Sequence, residues 1–330
     1  MSDKHATTQQ RIPQLDYLKG IFIVLMVIFH LALIEQTYPV LRNAVYTFHM
    51  SAFLVISGYL ANVEKRPGQF VHGLLRIAVP YVLFEAFYIV IQYYLGGNLG
   101  AHNAIGQLTA GSFLMRIATQ PTGPYWYLHT LVISTAVYWV VYRLLKLRGM
   151  GGLALMGVAL YGLTWAIEGL AWSNVIYFII GVFILRLGKR FMEVITPSWL
   201  ALLPLIVLFW FPENYDSGSL AGVAITVLVI SLLLACYTIC PRALSNFFRY
   251  LGRNSLAIVV FSPIFTVLTK QLAPWFNFDP TAISFLVVAL TIVVGGCLAS
   301  AWLCDKLLLS RLIFLKRQFY VPLGSRGYFS

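Results

Sequence analysis

Continuously apolar stretches recur along the chain at roughly residues 17–34, 44–61, 74–95, 125–145, 152–170, 174–188, 199–211, 219–240, 254–272 and 281–304. A helix needs about 20 such residues to cross the hydrocarbon layer of a bilayer. A membrane strand would alternate apolar and polar positions with period two. These runs do not alternate, so they predict helices. The pattern therefore predicts an all-α, polytopic membrane bundle of about ten transmembrane helices, with residues 174–188 and 199–211 the shortest. The first run is longer than the apolar core of a secretory signal, about 7–15 residues, and no small-x-small cleavage site follows it. It is expected to be a first, uncleaved span.

Composition agrees and charge adds orientation. Only 10% of residues are charged and 60% are hydrophobic, whereas a soluble domain carries about 25% charged residues. This chain cannot cover a water-facing surface. The net charge of +12 would suit nucleic acid, but the basic residues are distributed as membrane topology requires. One set of loops and tails holds Lys4, Arg11, Lys19, Lys65, Arg66, Arg76, Arg143, Lys146, Arg148, Arg186, Lys189, Arg190, Arg242, Arg249, Arg253, Lys306, Arg311, Lys316, Arg317 and Arg326, which is 20 of the 23 basic residues. The alternate loops hold Arg42, Arg116 and Lys270. Positive loops stay inside, so both termini are expected in the cytoplasm, with no nucleic-acid partner.

The organisation that follows is a polar N-terminal tail (1–10), a membrane domain (11–304) and a basic cytoplasmic tail (305–330), the last with an interfacial helix in "DKLLLSRLIFLKR". The glycine-rich external segment of about 96–124 is long enough to suggest a functional lid. Cys236, Cys240, Cys297 and Cys304 all fall in apolar runs and read as small hydrophobes, with no metal site. Tyr125, Trp126, Tyr127, Trp172 and Trp275 suit interfacial aromatic belts.

Against this apolar background, ionisable groups inside spans stand out, because each is costly there and normally faces a cavity or the bundle interior. In the first run, Lys19 and His30 are eleven residues apart. On a helix that is three turns plus about 20°, with a rise of about 16 Å, so both share one face. Asp16 lies one turn before Lys19 and can pair with it. A neutral imidazole on a water-accessible path suits a general base. An interhelical hydrogen bond is the competing reading. Glu35 ends the same run, five residues after His30, where it can orient the imidazole, meet a substrate or simply mark the interface. Glu85 is deep and needs a partner, and Glu168 lies near an outer helix end. His5, His72 and His102 read as solvated loop residues.

These residues resemble a known family. "DYLKGIFIVLMVIFH" resembles the first helix of the acyltransferase-3 family of integral membrane O-acyltransferases, which carries Arg or Lys, ten residues, then His. "FHMSAFLVISGYL" (48–60), "RIAVPY" (76–81), "GPYWYLHTL" (123–131) and "LGRNSLAIVVFSPI" (251–264) are similar to its later segments, in the same order. Ser51 replaces a customary proline, and Ser262 stands where many members place a histidine before Pro263.

The resemblance implies an O-acetyltransferase, with acetyl-CoA or another acyl-CoA as a donor substrate and no permanently bound cofactor. The acceptor would be a glycan or lipid-linked sugar, and the setting a bacterial cytoplasmic membrane with its lipid. On that reading His30 is catalytic, with Glu35 beside it. Lys19, Arg76, Arg249 and Arg253 bind donor phosphates, Tyr59 and Trp126 line the donor channel, and His49 and His129 contact the acceptor. The alternative class is a transporter or exporter of a polysaccharide precursor; such proteins often show two related halves, and none is visible in this chain. The charge distribution makes its own prediction: a reporter active only in the cytoplasm will be active when fused after Ser330 and inactive when inserted between Glu213 and Ser217. Activity at both positions would overturn the topology.

Overall fold

The computed structural model describes residues 11–99 and 108–324. The N-terminal polar tail with Lys4 and His5, residues 100–107 of the glycine-rich 96–124 segment with His102, and the last six residues with Arg326 lie outside the described residues. Among the described residues the protein is helical, with no strand. In chain order the helices are α1 (Pro13–Phe29), α2 (Ala32–Thr37), α3 (Pro39–Leu60), α4 (Pro67–Leu99) and α5 (Ala110–Thr119). Next come α6 (Trp126–Trp139), continued by one π-turn, then α7 (Gly149–Ala166), α8 (Trp172–Arg186), α9 (Phe191–Val194) and α10 (Leu202–Trp210). The last five are α11 (Leu220–Ile239), α12 (Arg242–Arg253), α13 (Ser255–Lys270), α14 (Ile283–Lys306) and α15 (Ser310–Ile313). Pro13, Pro39 and Pro67 open their helices, where a missing N–H costs nothing.

Each of the ten apolar runs is helical, the first as two helices. Taken singly, four are long and apolar enough to cross a membrane: Pro67–Tyr94, Gly149–Ala166, Leu220–Ile239 and Ile283–Lys306. α12 and α13, bent by 77° at Asn254, make a fifth when counted as one. Helices such as α8 and α10 are shorter than a span needs.

Three expectations are corrected. The first run is not one helix, because α1 ends at Phe29, His30 leaves helical geometry (φ −102°, ψ 3°) and α2 starts afresh. Residues 242–253 are not a loop but an amphipathic helix packed against α1. The tail forms no long interfacial helix either: α15 is a single turn, after which Phe314 and Phe319 bury and stack, centroids 3.6 Å apart. The described part of the 96–124 segment is pinned rather than free. Tyr81 Oη donates to Ile117 O at 2.5 Å, Gln120 donates to Glu168 at 2.6 Å, and Thr122 donates through its N–H (2.7 Å) and hydroxyl to Glu85, which thereby finds its buried partner.

Two crossings set the bundle's geometry. Where α1 meets α12, a Cβ on Gly20 would fall 1.9 Å from Phe248 O, and one on Gly252 would fall 1.8 Å from Asp16 O. Where α3 meets α8, a Cβ on Gly58 would fall 2.2 Å from Phe178 O, and one on Gly181 2.1 Å from Val55 O. Small residues permit such backbone approach, the main source of specific packing between apolar helices in lipid. Gly181→Val is expected to cost roughly 1–3 kcal/mol, the usual range for overpacking. Gly295→Ala, whose Cβ meets nothing within 4 Å, will be neutral. Thermal unfolding of the purified variants in detergent checks both, and equal melting temperatures would refute the crossing.

Candidate active site

The site is built from α1, the bend after it and the N-terminal half of α3. His30 follows the last residue of α1, and its Nδ1 lies 2.7 Å from Met26 O. A carbonyl only accepts, so Nδ1 carries the proton and Nε2 presents a lone pair. His30 is exposed at this helix end, with the Tyr46 ring close on one side. Tyr46 stacks on it, centroids 5.5 Å apart at 30°, and Tyr46 Oη donates to Phe29 O at 3.0 Å. On the same face of α3, His49 lies 5.3 Å from the Tyr46 ring. Its Nδ1 donates to Val45 O at 2.8 Å, and its buried Nε2 has no hydrogen-bond partner. Two imidazoles thus share one tautomer and bracket one tyrosine.

Glu35 sits apart in α2. Its carboxylate pairs with Arg42 at 3.0 Å, so the bond that orients His30 comes from Met26. His129 is elsewhere: its Nε2 donates to Ala118 O at 2.9 Å and its ring lies beside Tyr81. Ser51, at the family's proline position, returns its hydroxyl to Thr47 O at 3.0 Å within α3. Ser262 is buried in α13.

At the other end of α1, Lys19 Nζ pairs with Asp16 at 2.7 Å, and Arg11 shares that carboxylate at 2.9 Å. Lys19 lines a cavity of about 340 Å³ with Lys65, Asn62, Gln69, Ile77 and Ser255. Phe53, Ser57, Tyr127, Leu131 and Val259 also line it, with Ser57 and Tyr127 joined at 2.8 Å through their hydroxyls. His30 is not among the lining residues, so the cavity belongs to the Lys19 end of α1. Tyr59 and Trp126 do not line it either; Tyr59 Oη accepts from Phe191 N at 3.1 Å and braces α9. Arg249 and Arg253 lie on α12, where Arg249 donates to Asn246 at 3.1 Å. Arg76 donates to Leu315 O at 3.3 Å.

Sequence reasoning missed Tyr46, Lys65 and the Ser57–Tyr127 pair. Tyr46 had a signal, since it lies three residues before His49 and shares its helical face. The other contacts join distant segments, which periodicity does not report. Among the described residues no three His, Cys, Asp or Glu side chains converge as a metal would need.

No curated relative and no solved structure matches the chain. An acyltransferase domain does match, over residues 12–302, and that stretch holds both ends of α1, the histidine pair and the cavity. Spanning nearly the whole sequence, the match establishes that this membrane protein belongs to the acyltransferase-3 family.

Proposed function

We propose that the protein is an O-acetyltransferase of the bacterial cytoplasmic membrane. It moves an acetyl or other acyl group from cytoplasmic acyl-CoA to a hydroxyl of an envelope or extracellular glycan, or of its lipid-linked precursor. In this reading all ten apolar helices cross the membrane and both termini are cytoplasmic, as the 20-to-3 division of basic residues requires. The observation that carries the reading is the fixed tautomer of His30, whose Nε2 is free to take a proton.

The donor enters at the basic end of α1, where Lys19 and Lys65 line the cavity. Lys19, with Arg76, Arg249 and Arg253 on the same side, meets the donor's phosphates. The rise of about 16 Å from Lys19 to His30 is within reach of an extended pantetheine arm. His30 Nε2 takes the proton of the acceptor hydroxyl as its oxygen attacks the thioester carbonyl. The C–O bond forms, the C–S bond breaks, and the imidazolium returns the proton to the departing thiolate. His49, with its Nε2 unpartnered beside Tyr46, is placed to hold the acceptor hydroxyl. A desolvated imidazole gains most from that bond.

Two measurements test this. His30→Ala is expected to lower acetyl-CoA-dependent thiol release by about 10²–10⁴-fold, the usual worth of a general base; undiminished turnover in a folded variant removes His30 from the mechanism. Lys19→Gln is expected to raise KM for acetyl-CoA by about tenfold with kcat little changed, because it acts on binding alone. A fall in kcat with KM unchanged would instead place Lys19 in the chemical step.

A further inference from the structure

The tail beyond α14 lies outside the residues matched by the family, yet it is held with care. Asp305 accepts the backbone N–H of Phe319 at 2.9 and 3.1 Å and that of Tyr320 at 2.9 Å. Asn254, 3% exposed at the bend between α12 and α13, accepts from Val321 N at 2.9 Å and donates to Val321 O at 3.0 Å. Tyr250 and Tyr320 join through their hydroxyls at 2.8 Å. The bonds from Asp305 on α14 and Asn254 at the α12–α13 bend reach the tail's backbone, so they hold its path whatever its own side chains are.

What this path delivers is Lys316. Arg76, whose Nε holds the neighbouring Leu315 carbonyl, and Arg11 both act on its charge. Burial first, and these two cations after it, push its pKa below the ordinary lysine value. Among the described residues neither Arg76 nor Lys316 has a carboxylate within ion-pair distance, and the one carboxylate near Arg11 is already shared with Lys19. Gathering like charges is unfavourable, and here the fold uses several side-chain-to-backbone bonds to do it. Ile77, next to Arg76, and Ser255, next to Asn254, line the cavity with Lys19, although Arg76 and Lys316 are not themselves among its lining residues.

We propose that Arg76 and Lys316 form a phosphate-binding subsite that the docked tail completes, and that it receives the phosphorylated end of the acyl donor. The donor's identity rests on the acyl-CoA reading above; the phosphate chemistry does not. An arginine fork and a lysine point charge are the two side chains that suit phosphate oxygens.

The test uses full-length protein in nanodiscs of zwitterionic lipid. Acetyl-CoA is compared with acetyl-pantetheine, which has the thioester without the phosphates. Lys316→Gln is expected to weaken acetyl-CoA binding by about tenfold, the worth of one charge-assisted contact, with acetyl-pantetheine unmoved and Lys316→Arg restoring most of the loss. Equal acetyl-CoA binding by the wild type and Lys316→Gln would overturn the subsite and leave the donor reading standing. If the wild type binds no acetyl-CoA, the donor reading fails, and inorganic pyrophosphate then probes the subsite alone: weaker binding by Lys316→Gln retains it, equal binding overturns it. Should anionic lipid in the nanodiscs abolish the Lys316 effect on acetyl-CoA, the phosphate belongs to a lipid headgroup and the donor assignment of the subsite is overturned.

Discussion

The backbone contact between α1 and α12 is the constraint from which the site's geometry follows. Gly20 and Gly252 leave no side chain between the two helices, and carbonyl oxygens of each occupy the space a Cβ would need. In lipid, apolar surface gains little by moving from acyl chains to another helix, so close packing must supply the specificity. A helix located this tightly carries Asp16, Lys19 and His30 at set heights and angles. The second glycine crossing does the same for α3, which brings Tyr46, His49 and Ser57. Two backbone contacts thus locate the two helices on which most of the candidate chemistry stands.

Polar groups inside this chain follow one economical scheme. An imidazole packed among protein atoms must satisfy its N–H without bulk water. His30 and His49 do so within their own helices, each through Nδ1 to the carbonyl four residues earlier. That local bond needs no partner helix, and it leaves the second nitrogen uncommitted. His129 differs in that its Nε2 bonds across to the α5 end, a tertiary contact, while its buried Nδ1 is left without a partner. The same division separates the carboxylates: Glu85 and Glu168 anchor the segment before α6, while Asp16 organises Arg11 and Lys19 at the cavity end of α1.

Much of this was legible in the residues. The apolar runs announced helices rather than strands, because burying the backbone in lipid leaves few alternatives to a helix. Lys19 and His30 declared themselves through their cost in such a background, and their spacing followed from helix geometry alone. The motif glycines of "LKG" and "LGRN" were visible as letters, but not as the crossing they create. The broken first run was hidden too. Nothing in "VIFHLALIEQ" is a strong helix breaker, yet the chain leaves helical geometry at His30.

The sequence by itself determined the class of solvent, the helical state and the uneven distribution of positive charge, since these depend on composition and on neighbours within a few residues. Only the tertiary structure decided which polar groups meet: His49 beside Tyr46 and His30, Ser57 with Tyr127, Glu85 with Thr122, Lys316 beside Arg76. Those pairs join segments up to some 240 residues apart, as Arg76 and Leu315 do. Helix periodicity sets which face a residue occupies, but which face it meets depends on how whole helices pack, and that is a property of the assembled core.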